Sequence, residues 1–144
     1  MFKLVDEIRI TREVPIKVPR DGTKLFDPKT IKVTYRVLGT SEEEDMVDEM
    51  VTPVPSPGPD ATAAEMAEYE AKRREKDRRA RTFVRELLRT VIVDWPADSG
   101  IADEDGRPLP YSPDRRDQLI DVPFVQSALI TAYRDACTGK ITKN

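Results

Sequence analysis

Apolar and polar positions alternate near the start of the chain. Val5, Ile8, Ile10, Val14, Ile16 and Val18 recur mostly two residues apart, with Glu7, Arg9, Arg12, Glu13 and Lys17 between them. A period of two predicts a half-buried strand over residues 4–18. Pro15 assigns that strand to a sheet edge or interrupts it, because proline donates no ladder hydrogen bond. Pro19-Arg20-Asp21-Gly22 is a turn signal. A second alternation follows, with Ile31, Val33, Tyr35 and Val37 on one face and Lys32, Thr34 and Arg36 on the other, ending at Gly39. Residues 4–39 therefore predict a β-hairpin or a short meander.

The period then changes. Ser41 followed three residues later by Glu44 is a capping-box pattern and predicts a short helix over about 41–50. Thr52 to Pro59 carries four prolines and predicts an exposed linker, 51–62, without regular structure. Asp60 or Thr62 opens a long helix whose later half repeats apolar residues three and four apart: Ala80, Phe83, Val84, Leu87, Leu88, Val91 and Ile92. Its earlier half has only Met66 and Tyr69 as sizeable apolar residues. Residues 63–80 are therefore expected to project as a basic arm, into solvent or onto a partner. Pro96 stops the helix near Asp94 or Trp95. Residues 96–111 read as a loop with a tight turn at Asp105-Gly106. Ser112-Pro113 starts a short helix as N-cap and first-turn proline. A last helix starts near Asp121–Pro123, buries Val122, Val125, Leu129, Ala132, Tyr133 and Ala136, and stops at Gly139. The elements predict an α+β fold. An N-terminal β-hairpin or small antiparallel sheet packs with a C-terminal helical part of one long helix and two shorter ones, and 1–144 forms one domain.

Composition narrows the chemistry. A chain of 144 residues can bury a core without disulfides or metal. The net charge of −3 argues against nucleic acid as the partner. One cysteine, Cys137, allows no intramolecular disulfide and suits a reducing cytoplasm. The N-terminus lacks a signal-peptide pattern, and no apolar stretch approaches the roughly 20 residues of a membrane span. With no histidine, Ser-His-Asp and Cys-His sites are excluded, as are zinc sites built from both cysteine and histidine. The chain reads as a binding protein rather than an enzyme, with no cofactor and no metal. Asp103-Glu104-Asp105-Gly106 does not make a calcium loop, because Ile101 and Ser112 occupy the end positions where carboxylates are required. Trp95 reads first as a core edge and second as a ligand platform. Cys137 reads as a packing residue.

The basic run is the strongest candidate surface. Lys72, Arg73, Arg74, Lys76, Arg78, Arg79, Arg81, Arg85 and Arg89 are interrupted only by Glu75, Asp77 and Glu86 among charged residues. Three accounts compete. One is a solvated helix held by pairs such as Glu68–Lys72 and Asp77–Arg81. The second is a protein partner, and the third is a nucleic acid. The acidic run at 42–49 can also pair with this helix, within one chain or between subunits.

Four further segments stand out in chain order. The first is Phe2-Lys3-Leu4-Val5-Asp6 leading to Val18-Pro19-Arg20-Asp21-Gly22; the second is Val33-Thr34-Tyr35-Arg36-Val37-Leu38 before Glu42-Glu43-Glu44. The third is Trp95 followed by Gly100-Ile101-Ala102-Asp103-Glu104-Asp105-Gly106 through Tyr111-Ser112. The fourth is Val122-Pro123-Phe124-Val125 through Ala132-Tyr133, Cys137-Thr138-Gly139-Lys140 and the terminal Lys143-Asn144. In this order the four segments resemble the tail assembly chaperones of long-tailed (siphovirus-type) bacteriophages, and the proline-rich segment and the basic helix depart from that family's pattern. The resemblance implies a protein that binds the tape measure protein and recruits tail tube subunits around it. It implies action in the host cytoplasm and absence from the mature virion. It also implies a longer product made by ribosomal frameshifting, through which the tail tube protein is contacted. The expected contact residues are Met66, Tyr69, Arg73, Arg74, Arg78 and Arg79, with Trp95 and Phe124. Homo-oligomerisation stays open. The alternative is a nucleic-acid-binding or head–tail connector protein using the basic helix 72–89.

Overall fold

Strands β1 (Ile8–Pro19) and β2 (Phe26–Val37) pair antiparallel along their whole lengths, with Ile8 opposite Val37 and Pro19 opposite Phe26. The computed structural model describes residues 1–22 and 25–139, so the Lys140 and Lys143-Asn144 positions quoted above lie outside the described residues. The alternation works as the sequence requires. Val14 and Ile16 of β1, and Ile31, Val33 and Tyr35 of β2, are buried on one face. On the other face Thr11 and Thr34 share a hydroxyl hydrogen bond of 2.8 Å. The strand begins at Ile8 rather than Leu4 because β2 ends opposite it, leaving residues 4–7 no partner strand.

Backbone direction explains both strand prolines. The Lys32 amide donates to the Ser99 carbonyl at 2.8 Å, away from β1. Lys32 opposes Glu13, so amides of that pair class point outward from the hairpin. Pro15 opposite Thr30 and Pro28 opposite Lys17 fall in the same class. Neither proline removes a β1–β2 bond, and β1 runs unbroken as an edge strand.

A third strand, β3 (Ile92–Asp94), completes the sheet in the order β1-β2-β3. This corrects the long helix expected to reach Asp94 or Trp95. The observed segment is α2 (Ala63–Arg81), a break at Thr82, then α3 (Phe83–Val91) and β3. The Thr82 hydroxyl bonds the carbonyls of Arg78 and Arg79, competing with helix continuation. Ile92 continues the helix stripe, yet Ile92 and Val93 are β-branched and also suit the open edge of β2, and there the sheet prevails.

Beyond β3 the loop continues to cover that edge. Ser99 is buried, its carbonyl takes the Lys32 amide, and Lys32 Nζ meets Asp98 Oδ2 at 2.8 Å. Gly100 has φ +82°, and a Cβ there would lie 2.9 Å from the Thr30 carbonyl oxygen, so only glycine lets the loop approach this closely. Asp103 Oδ1 accepts the amides of Asp105 and Arg107, and Ala102 bridges Pro108. The Asp-Glu-Asp-Gly cluster is thus a self-satisfied turn closed by Gly106 at φ +79°.

Helices α4 (Pro113–Ile120) and α5 (Pro123–Cys137) start where their prolines predict. The Ser112 hydroxyl accepts the Arg115 amide at α4, and Gly139, at φ +74°, follows the end of α5. α5 lies on the sheet face. The Tyr35 hydroxyl donates to the Leu129 carbonyl at 2.9 Å, and the Tyr35 and Tyr133 rings are 5.5 Å apart. Burial pushes the Tyr35 hydroxyl pKa far above its ordinary value. Leu87, Leu88, Ile120 and Leu129 fill the same core, each side chain contributing about 1.5–3 kcal/mol by leaving water.

Among the described residues these elements make an α+β fold: a small antiparallel sheet and five helices. The chain divides into two compact units: a sheet unit, Met1–Val37 with Leu87–Asn144, and a helical unit, Leu38–Glu86. The linker expected at 51–62 forms no regular structure from Pro53 to Gly58, while Val51 still belongs to α1 (Thr40–Val51).

Candidate functional site

The helical unit carries the basic surface. α2 opens on a complete capping box. Thr62 Oγ1 accepts the Glu65 amide at 3.2 Å, and Glu65 Oε1 accepts the Thr62 amide at 3.4 Å. α1 differs from expectation: its N-cap is Gly39 with no side-chain hydrogen bond, and Ser41 lies inside the helix, so the Ser41–Glu44 box is not formed. Acidic Glu42 and Glu43 still occupy its first turn, where the helix dipole favours negative charge.

No residue of α2 is buried. A helix that is polar all round depends on caps and on pairs along its surface. Lys72 meets Glu68 at 2.9 Å, and Glu75 holds both Arg78 (2.5 Å) and Arg79 (3.4 Å). The hydrogen bond from Arg78 keeps the Glu75 carboxyl below its ordinary pKa. Arg79 also reaches Glu49 of α1 at 3.0 Å. The acidic run therefore does pair with the basic helix, within one chain. Glu49, Ala71, Lys72, Glu75, Lys76 and Arg79 line a shallow depression there; small Ala71 leaves the space and charged groups rim it.

The side chains left over define what a partner can reach. Arg73 and Arg74 are exposed and make no ion pair among the described residues. At about 100° per residue, Met66, Tyr69 and Arg73 fall within roughly 60° of arc, and Arg74 lies about 80° beyond Met66. Arg79 lies about 140° around the helix from Arg74, on the side that meets α1. Met66 is 41% exposed and Tyr69 is half-buried. The candidate residues thus separate into an available group (Met66, Tyr69, Arg73, Arg74) and a group held by carboxylates (Arg78, Arg79).

Trp95 and Phe124 belong to the sheet unit. Trp95 corrects the expectation of a contact residue. It is 4% exposed, its ring nitrogen donates to the Leu109 carbonyl at 2.8 Å, and its ring meets Tyr111 edge-on at 5.0 Å. It anchors the loop and offers no surface. Phe124, in the first turn of α5, is 38% exposed. Cys137 is exposed at the end of α5, which corrects its expected role as a packing residue. Two features escaped the sequence: the extra apolar surface of the N-terminal segment, where Phe2 and Leu4 are exposed, and the use of Glu49 as a specific partner of Arg79.

Among the described residues no helix is long and apolar enough to cross a membrane. No protein-family model, no curated protein and no solved structure matches this chain. The fold and surface define a class: an α+β protein with a capped basic helix of which no residue is buried.

Proposed function

We propose that this chain is a tail assembly chaperone of a long-tailed bacteriophage. It binds the tape measure protein through α2, keeps it soluble and helps recruit tail tube subunits around it. The carrying observation is α2 itself, a 19-residue helix with no buried residue on which Met66, Tyr69 and Arg73 share a face. A long helix with no fully buried residue contributes little to a core and leaves its surface to a partner. The order of the four resembling segments supports the phage assignment.

The chemistry follows from that face. A tape measure protein is long, helical and apolar, so unprotected copies aggregate. Met66 and Tyr69 supply apolar contact, the Arg73 stem extends it while its guanidinium group stays in water, and Arg74 adds a charge at the border of that face. Copies lined along the partner would present charge outward and hold the complex in solution. On this proposal the protein acts in the host cytoplasm, is absent from the virion and has no catalytic role.

The test replaces Arg73 and Arg74 with glutamate and measures co-purification with the tape measure protein. Neither arginine pairs with a carboxylate among the described residues, so the fold should be kept, as circular dichroism would check. Binding should weaken at least several-fold. Unchanged binding would remove α2 as the contact. Tight, salt-sensitive DNA binding by the unmodified chain would instead favour the nucleic-acid alternative through 72–89, since phosphate contacts release counterions.

A further inference from the structure

The two edges of the sheet are treated differently. Beyond β2, β3 and the Ser99–Gly100 loop occupy the edge. On the far side, β1 is hydrogen-bonded to β2 alone among the described residues. Pair class fixes which groups point outward there. Ile10, Arg12 and Val14 bond toward β2, so the amides and carbonyls of Arg9, Thr11 and Glu13 face away from it. A row of this kind is a template for another strand.

We infer that β1 pairs with β1 of a second copy of this chain, antiparallel about a two-fold axis at Thr11. That register places Thr11 opposite Thr11 of the second copy and Arg9 opposite its Glu13, twice over. All three residues are exposed on the same face, away from the core. Opposite charges directly across a pair stabilise it, so charges that ordinarily blunt an edge become complementary in this register. Arg9 at present meets Glu7, two residues away, at 3.1 Å, a surface pair that exchanges readily.

A second observation fits independently. Met1 to Glu7 carry no ladder, yet Phe2 is 78% and Leu4 is 92% exposed. Continued past Pro15, the same register sets Leu4 against Val18 and Val5 against Lys17 of the second copy. Leu4 then falls on the face shared by Ile16 and Val18, because all three have the same parity along the strand. Pro15, opposite Glu7, forfeits one bond and keeps its carbonyl as acceptor. The unpartnered apolar segment thereby gains a strand to lie against, and two three-stranded sheets become one of six.

The test uses the full chain in analytical ultracentrifugation. The unmodified protein should show a concentration-dependent monomer–dimer equilibrium. Arg9→Glu alone and Glu13→Arg alone should each raise the dimer Kd about ten-fold or more, because two opposite-charge pairs become like-charge pairs. Mixing the two variants should restore association. One strand is then acidic at both positions 9 and 13, the other is basic at both, and every cross-strand pair in the mixed dimer is again of opposite charge. Amide exchange at Arg9, Thr11 and Glu13 should slow as concentration rises. A protein that stays monomeric at every concentration overturns the inference. So does a dimer indifferent to both substitutions, or variants that fail to associate on mixing while folded. A dimer through β1 says nothing about α2, so this result and the tape-measure result stand or fall separately.

Discussion

Gly100→Ala tests how the loop after β3 is held to the sheet. Two effects add. At φ +82° an alanine adopts a left-handed backbone, which costs about 1–2 kcal/mol. Its Cβ would also stand 2.9 Å from the Thr30 carbonyl oxygen, a backbone atom in β2 that cannot swing aside. The loop must retreat, stretching the 2.8 Å bond from the Lys32 amide to the Ser99 carbonyl, worth about 1 kcal/mol net. The sum is roughly 2–3 kcal/mol. Gly106→Ala is the control: its φ is +79°, but nothing lies within 4 Å of its Cβ, so it should lose about 1–2 kcal/mol only. Urea unfolding followed by Trp95 fluorescence suits the comparison, because Trp95 is the one tryptophan and is buried in the same unit. Both variants should lower the midpoint without changing its slope, Gly100→Ala by distinctly more. Equal losses would mean that the loop does not press on Thr30 and does not close that edge of the sheet.

Other outcomes follow from single contacts. Tyr35→Phe removes only the hydroxyl bonded to Leu129 and should cost about 0.5–1.5 kcal/mol, whereas Tyr35→Ala also empties core volume and should cost about 3–5 kcal/mol, both read by urea unfolding. Thr62→Ala removes the α2 capping box and should cost that helix about 0.5–2 kcal/mol, seen as lost ellipticity at 222 nm. The Lys32–Asp98 pair gives a pH signature. Hydrogen bonding to Lys32 holds Asp98 below its ordinary 3.8, and Asp98 holds Lys32 above its ordinary 10.5. The lowered acid stabilises the fold above 3.8 and loses that effect as pH falls through its folded value. The raised base stabilises below 10.5 and loses it as pH rises through its own. The melting-temperature difference between the unmodified protein and Asp98→Asn should therefore be fullest between those values and close at both extremes.

Local signals carried much of this fold and stopped where distant partners decide. Alternation alone located β1 and β2 and chose the buried face, because a one-residue slip would expose Val14 and Val33. Ser112-Pro113, Pro123 and Gly139 marked helix ends through chemistry that needs no tertiary contact. Ile92 satisfies both the three-four stripe and, with Val93, a strand, and only the free edge of β2 selects the strand. The Ser41–Glu44 pattern was sound chemistry two residues too late, since the helix begins at Thr40 and its N-cap is Gly39. Nothing local reveals that Gly100 must clear Thr30, or that the chain forms two units. For the candidate site, the basic run was plain in the sequence. Which arginines are held by carboxylates depends on Glu49 and Glu75, and the burial of Trp95 depends on Leu109 and Tyr111.

The measurement that bears most directly on the central proposal is the solubility of the tape measure protein when it is produced with and without this chain. Co-production should move the tape measure protein from the pellet into the soluble fraction, bound to several copies of the chain. Arg73→Glu with Arg74→Glu should return much of it to the pellet. A tape measure protein that sediments equally in the presence and absence of the chain would contradict the chaperone account.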